Sequence, residues 1–300
     1  MRLLNQLVLN GIIAGSIYSL IALGFTIIYK TVRFFHFAHG VVYAAGAYFA
    51  YSLSVSLGIN PILSFFFASI LVAILGIVID RIVYQPLRIN AAPGLVFLIA
   101  SFGVFIFIQN LLQLLYGAQI LTLSTEPAKE GHQLSVLGFQ LNAVITDIQI
   151  LILAVSCLLA VVLYLLINKT KIGKAIQAVA DDPMGARVSG IYDEKVILYA
   201  FGIGSALAGM AGVLISLETN IEPTMGMNAI LKGIIASIIG GIGSIPGALL
   251  GGFLLGIIEN LGIWKIQAGW KDMIAFTVLI LFLLFRPEGI LGKKNDRERL

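Results

Sequence analysis

Apolar residues fall along this chain in long blocks separated by short polar stretches. A helix needs about 20 such residues to cross roughly 30 Å of hydrocarbon. Blocks of that kind cover 6–29, 37–57, 62–84 and 95–116, then, after a polar gap, 148–167 and 196–217. In the last third the blocks at 229–242 and 248–263 are short and glycine-rich, and 274–285 closes the set. The pattern predicts an all-α polytopic membrane protein with eight or nine transmembrane helices, some broken or re-entrant, forming one transmembrane domain over 1–300. The first block is too long for the apolar part of a signal peptide and lacks a clear small-residue cleavage site, so it reads as the first span.

Composition agrees. Of 300 residues, 59% are hydrophobic and 11% charged, with a mean hydropathy of +1.00, against about 25% charged in a soluble domain. So few charges cannot cover a water-exposed surface of this size, which excludes soluble enzymes and nucleic-acid binders. The net charge of +4 does not change this, because the basic residues form no aromatic-interleaved patch. They cluster between apolar blocks, as the excess of Lys and Arg on the cytoplasmic side of membrane proteins requires. With the loops at 30–35, 81–93 and 168–195 and the tail from Arg286 inside, that side holds 14 basic residues, against four outside. The C-terminus is then cytoplasmic, and nine crossings would place the N-terminus outside. The segment 117–147 becomes an external loop carrying Glu126, Glu130 and Asp147 against Lys129. The single Cys157 lies in an apolar block, so no disulfide framework is expected.

The spans are poor in ionisable groups: Lys232, Glu259 and the pair His36 and His39 are the candidates. Lys232 and Glu259 also fit as interfacial anchors or as an ion pair inside the bundle; ion-coupled carriers keep such groups there, so with so few of them proton or sodium coupling is disfavoured. His36-Phe-Ala-His39-Gly40 has two histidines three apart but no carboxylate or thiol beside them, so no metal is expected; a helix interrupted at Gly40 beside a pathway is the better reading. The tract from Lys232 to Gly256 places glycines at 233, 240, 241, 243, 247, 251, 252 and 256, a small-residue spacing that brings helix backbones together. Pro246 breaks it, and dense packing or two half-helices facing a translocation path both fit. In the loop 168–195, Asp182-Pro183 reads as a helix cap followed by a first-turn proline, and Gly190 as the glycine past its end. This predicts a helix over 183–189 outside the bilayer, a plain connector being the alternative. No G-x-x-x-x-G-K-[ST] occurs; Gly173-Lys174 has Asn168 five back and Ala175 after it. If ATP drives the protein, another chain hydrolyses it.

At these residues the sequence resembles LivH-type permeases of branched-chain and hydrophobic amino-acid ABC importers. The matching stretches are Gly15-Ser-Ile-Tyr-Ser-Leu-Ile-Ala-Leu-Gly24, Phe37-Ala-His-Gly40 with Gly46-Ala-Tyr48, Pro86-Leu-Arg88 and Ile191. They continue with Gly240-Gly-Ile-Gly-Ser-Ile-Pro-Gly-Ala248, Lys271-Asp272 and Phe285-Arg-Pro-Glu-Gly289. The resemblance implies an ABC-importer permease subunit of a prokaryotic inner membrane. Its partners would be a second, LivM-type permease, two cytoplasmic ABC ATPases that use the ATP, and an external solute-binding protein; this chain would bind no cofactor. It also implies an ATPase-docking helix over 178–191, with Ala178, Asp182, Pro183, Gly185, Arg187 and Gly190 as coupling residues. Candidate path residues are His39, Gly40, Lys232, Gly240, Gly241, Gly243, Ser244, Pro246 and Gly247. Where many relatives carry an acid after Ala-His-Gly, this chain has Val41. A urea permease of the same family is one alternative, and a self-sufficient channel or ion-coupled carrier is another.

Overall fold

The computed structural model describes residues 2–123, 131–136 and 139–292. The expected charges at Glu126, Lys129 and Glu130 and the basic tail beyond Gly292 lie outside the described residues. Helix α1 covers Arg2–Val32 and α2 Ala38–Tyr51, which passes into a π-helical turn at Ser52–Ser56. Helix α3, Pro61–Ile79, runs through a second π-helical turn, Asp80–Tyr84, into α4, Gln85–Ile89; α5 follows at Gly94–Tyr116. Strands β1, Gly131–Val136, and β2, Phe139–Thr146, form an antiparallel hairpin. Then come α6, Asp147–Lys169; α7, Lys171–Asp181; α8, Pro183–Val188; and α9, Asp193–Glu218. The chain ends on α10, Met225–Gly240; α11, Ile245–Gly262; and α12, Lys271–Phe285.

Local chemistry fixes several of these boundaries. Side chains of Asn60, Thr170, Asp182 and Ser244 accept hydrogen bonds from the first-turn N–H groups of α3, α7, α8 and α11, which satisfies donors that a helix start leaves open. Prolines sit in the first turn of α3, α8 and α11, where their missing N–H does no harm.

Among the described residues, seven helices are long and apolar enough to cross a membrane: α1, α3 with α4, α5, α6, α9, α11 and α12. The protein is an all-α polytopic membrane protein, with the β hairpin as an unpredicted insert. The count of eight or nine transmembrane helices is not confirmed by these seven. Helix α10 has 16 residues, and α2 has 14 before its hydrogen bonding shifts to the π pattern. Nor does the interruption fall at Gly40. Helix α1 stops at Val32, Arg33 takes a left-handed φ of 55°, and α2 starts at Ala38, so Gly40 lies in its first turn.

The chain forms two compact units, Met1–Thr26 with Glu126–Cys157 and Leu231–Leu300, and Ile27–Thr125 with Leu158–Ile230. In the first, α1 lies against α11 with almost no side chain between them: a Cβ added at Gly15 would fall 2.8 Å from the Phe253 Cα. Gln6 accepts from and donates to the backbone of Val144, tying the hairpin to α1. In the second unit α9 packs on α2 and α3. A Cβ at Gly46 would fall 2.6 Å from the Gly209 Cα, and one at Gly209 2.8 Å from the Val72 Cβ. Small residues thus let helices approach where apolar lipid gives no hydrophobic drive for association. Large apolar side chains of α5, α6 and α12, such as Leu114, Leu158 and Leu284, are exposed, as lipid-facing surfaces require.

Candidate functional site

In the first unit the glycine–proline tract folds into a turn between two helices. Helix α10 ends at Gly240; Gly241 and Gly243 then take φ values of 108° and 85°, which a side chain would oppose. Ser244 caps α11, Pro246 enters its first turn, and Gly247 meets Gly240 backbone to backbone: a Cβ at Gly247 would lie 2.8 Å from the Gly240 carbonyl carbon and closer to its oxygen. The two arms are unequal, because α11, at 18 residues, is not a half-helix. Sequence reasoning missed what closes this turn. The segment of turns and bends after α12 folds back, and the N–H groups of Ile290 and Leu291 donate to the carbonyls of Ile239 and Gly240, both at 2.9 Å. Carbonyls left open at the end of α10 are thereby satisfied. Gly289, at φ 74°, fits against Gly241. The available signal was the pair of glycines at 289 and 292 after Arg286-Pro287, a stretch quoted for the family resemblance and otherwise placed in the tail.

Lys232 does not stand alone. Its ammonium pairs with Glu259 and, at 2.8 Å, with Asp272 in the first turn of α12. Tyr18 of α1 donates to the second Glu259 oxygen at 3.0 Å, and Lys271 donates to Asn260 at 3.1 Å. Glu259 is fully buried and Lys232 nearly so. A buried pair of this kind avoids the large penalty of an isolated charge in an apolar interior. Lys232 therefore joins α10, α11 and α12 within this unit and does not offer a free cation.

His39 and Gly40 belong to the second unit. Gly40 allows the start of α2 to touch the start of α10: a Cβ there would fall 2.8 Å from the Ile230 Cβ. His39 is buried with its ring centre 5.9 Å from that of His36. In the linker before α2, His36 Nδ1 lies 3.0 Å from the Tyr84 hydroxyl, and its ring packs at 5.2 Å from both Tyr84 and Phe201. Burial, with the neighbouring His39 as a lesser cause, holds the His36 imidazole well below its ordinary value of 6.5. It is neutral at pH 7.

The 168–195 segment of the same unit forms the expected capped helix, α8, with Asp182 accepting from the Met184 N–H at 3.0 Å and Gly190 at φ 79°. The expectation of one docking helix over 178–191 is corrected. Ala178 belongs to α7, and Asp182 turns extended, at φ −148° and ψ 100°, because the residue before a proline is pushed out of the helical region. Helix α7 buries Ile176, Val179 and Ala180 and accepts at the Ala180 carbonyl from Arg33 at 2.9 Å. Helix α8 faces outward. Met184 and Val188, one turn apart, are 71% and 86% exposed, and Tyr192 just beyond is 73% exposed. Arg187 on the same short helix pairs with Asp193. These three apolar residues were not marked in the sequence, though an i, i+4 apolar pair inside a polar loop was the signal.

One ionisable group inside a span was also missed. Asp80 is buried at the start of the second π-helical turn and receives two bonds from Arg88, at 2.7 and 3.1 Å. The same guanidinium gives two more to Glu194, at 3.1 and 2.7 Å.

Residues 7–283 match the family described as branched-chain amino acid transport system / permease component. The high-affinity branched-chain amino acid transport system permease protein BraD of Pseudomonas aeruginosa is 39% identical over 299 residues, 97% of this chain and 96% of the relative. LivH of Escherichia coli strain K12, named in the same terms, is 36% identical over 96% of this chain and 95% of its own. A probable branched-chain amino acid transport permease protein LivH of Methanocaldococcus jannaschii is 31% identical over 96% and 93%.

Proposed function

This chain belongs to the permease-component family of branched-chain amino acid transport systems, and from that premise we propose that it carries branched-chain and related neutral amino acids across a prokaryotic inner membrane. It does so as one subunit of an ATP-driven importer, beside a second, LivM-type permease, two cytoplasmic ABC ATPases and an external solute-binding protein. No cofactor is bound by this chain, and the ATPases use the ATP. The observation that carries the reading is similarity to permeases so named that covers 96–97% of this chain and 95–96% of theirs.

The geometry supports a division of labour. The exposed Met184, Val188 and Tyr192 form an apolar knob on the cytoplasmic segment, suited to an apolar groove on an ATPase, with Arg187 held in place by Asp193. Asp182 and Pro183 start the helix that presents this knob, and Gly185 and Gly190 let it turn and stop. Gly240, Gly241, Gly243, Ser244, Pro246 and Gly247 form a bare-backbone turn that lets two helices shift with little side-chain rearrangement. A path built from Gly, Ala, Ser and aliphatic groups offers no unpaired charge to trap a zwitterion, and transit requires weak binding. The paired state of Lys232 and Glu259 fits that requirement. The test is flux into proteoliposomes. Labelled leucine should accumulate only when the second permease, the ATPases, ATP and loaded binding protein are all present. Accumulation by this chain alone would make it a self-sufficient channel or carrier and overturn the reading.

A further inference from the structure

Within the second unit a continuous set of charged and polar contacts starts at α8 and ends in the linker before α2. Arg187 of α8 pairs with Asp193, the first residue of α9. The next residue, Glu194, holds Arg88 of α4 at 2.7 Å, and Arg88 holds Asp80 at 2.7 Å. Asp80 opens the π-helical turn that Tyr84 closes, and the Tyr84 hydroxyl meets His36 at 3.0 Å. We propose that Arg88 is the positioning residue of a relay that carries displacement of α8, through the first turn of α9, to the π-helical turn at Asp80–Tyr84 and the α1–α2 linker. The inference rests on the coupling role of α8 given above.

Three features separate a relay from a plain staple. A buried ion pair is a poor source of stability, since apolar residues of similar volume do as well or better; where it is kept, it fixes one arrangement against others. Arg88 also divides its donors between two elements, two bonds to each carboxylate, so a shift of one partner is felt by the other. The two ends differ in freedom. Asp80 is 1% exposed and Glu194 is 36% exposed, so the α9 arm can move while the Asp80 arm stays gripped. The gripped residue belongs to a π-helical turn, whose wider hydrogen bonding is a known place for a helix to yield. Proximity alone does not demonstrate coupling, and a double-variant comparison does.

The experiment uses the complete complex in proteoliposomes and reads three quantities: labelled leucine taken up per ATP hydrolysed, ATP hydrolysis without binding protein, and yield of assembled complex. Arg88→Met and Glu194→Gln are each expected to lower leucine per ATP about tenfold, within the usual range of coupling energies, with yield and unstimulated hydrolysis unchanged. Arg88→Lys keeps the charge but not the fork and should recover part of the loss. Because the links act in series, Arg187→Met combined with Glu194→Gln should fall no further than the stronger single variant. The relay is overturned by wild-type uptake in both Arg88→Met and Glu194→Gln. It is equally overturned by losses that multiply in the double variant, or by yield of Glu194→Gln falling in step with its uptake. If Arg88→Met fails to assemble, the partly exposed Glu194→Gln decides alone. Gly185→Pro in α8 keeps the two readings apart. Should it abolish uptake while Arg88→Met and Glu194→Gln are silent, only the relay falls; should it be silent as well, the coupling role of α8 falls.

Discussion

Adding one methyl group at Gly247 sets two effects of known sign against each other. Alanine in a helix is favoured over glycine by about 0.5–1 kcal/mol, and Gly247 lies in the first turn of α11 with no left-handed backbone, so this gain is available. Against it, the new Cβ would stand 2.8 Å from the Gly240 carbonyl carbon, whereas ordinary contact begins at 3.4 Å. The obstacle is backbone and cannot rotate away. Helices α10 and α11 must part by at least about 0.6 Å, and overpacking of this kind costs about 1–3 kcal/mol. The clash therefore wins by up to about 2.5 kcal/mol, which moves an equilibrium between two transport states by up to about sixtyfold. Gly247→Ala should assemble and transport more slowly, and Gly247→Leu should assemble and fail. The assay is initial uptake of labelled leucine per assembled complex, with Leu250→Ile as control because Leu250 is 47% exposed. Normal uptake by both glycine variants, or a defect confined to Leu250→Ile, would refute the claim that this turn moves during transport.

Three further outcomes follow from the same structure. Lys232→Met and Glu259→Gln should each lower the melting temperature of the purified complex, since breaking a buried pair costs about 3–5 kcal/mol; the double variant should melt above Glu259→Gln, whereas additive losses would refute the pairing. Met184→Glu with Val188→Glu should leave membrane insertion intact and abolish crosslinking of α8 to an ATPase; unchanged crosslinking would place the docking surface elsewhere. His36, held below its unfolded value of 6.5, contributes stability that is present in full above pH 6.5 and is lost as pH falls beneath it. Melting curves should show that slope in the native protein and a flatter one in His36→Phe; equal slopes would refute a neutral buried His36.

Features set by nearest neighbours along the chain were legible in the sequence. The cap at Asp182, the proline after it and the stop at Gly190 act within one turn, and so do Ser244 and Pro246 at the start of α11. What escaped depends on partners distant in sequence. Nothing near Leu291 says that its N–H will complete the end of α10 some fifty residues earlier. Asp80 escaped for the same reason: Glu194, which shares Arg88 with it, lies 114 positions later, although Arg88 itself was only eight away. The hairpin at 131–146 was hidden for another reason: the alternation that marks its second strand, Phe139-Gln-Leu-Asn-Ala, lies inside a loop recognised chiefly by its charges. Gly40 was read as a break in a helix, whereas its lack of a side chain serves a close approach to Gly226. The break belongs to Arg33, whose left-handed backbone no side-chain pattern announces.

Substrate competition in the reconstituted complex tests the central claim most directly. Uptake of labelled leucine should require this chain and ATP, should be suppressed by excess isoleucine or valine, and should be indifferent to urea. Leucine uptake that persists when this chain is omitted, or transport of labelled urea in its place, would contradict the assignment of a branched-chain amino-acid permease.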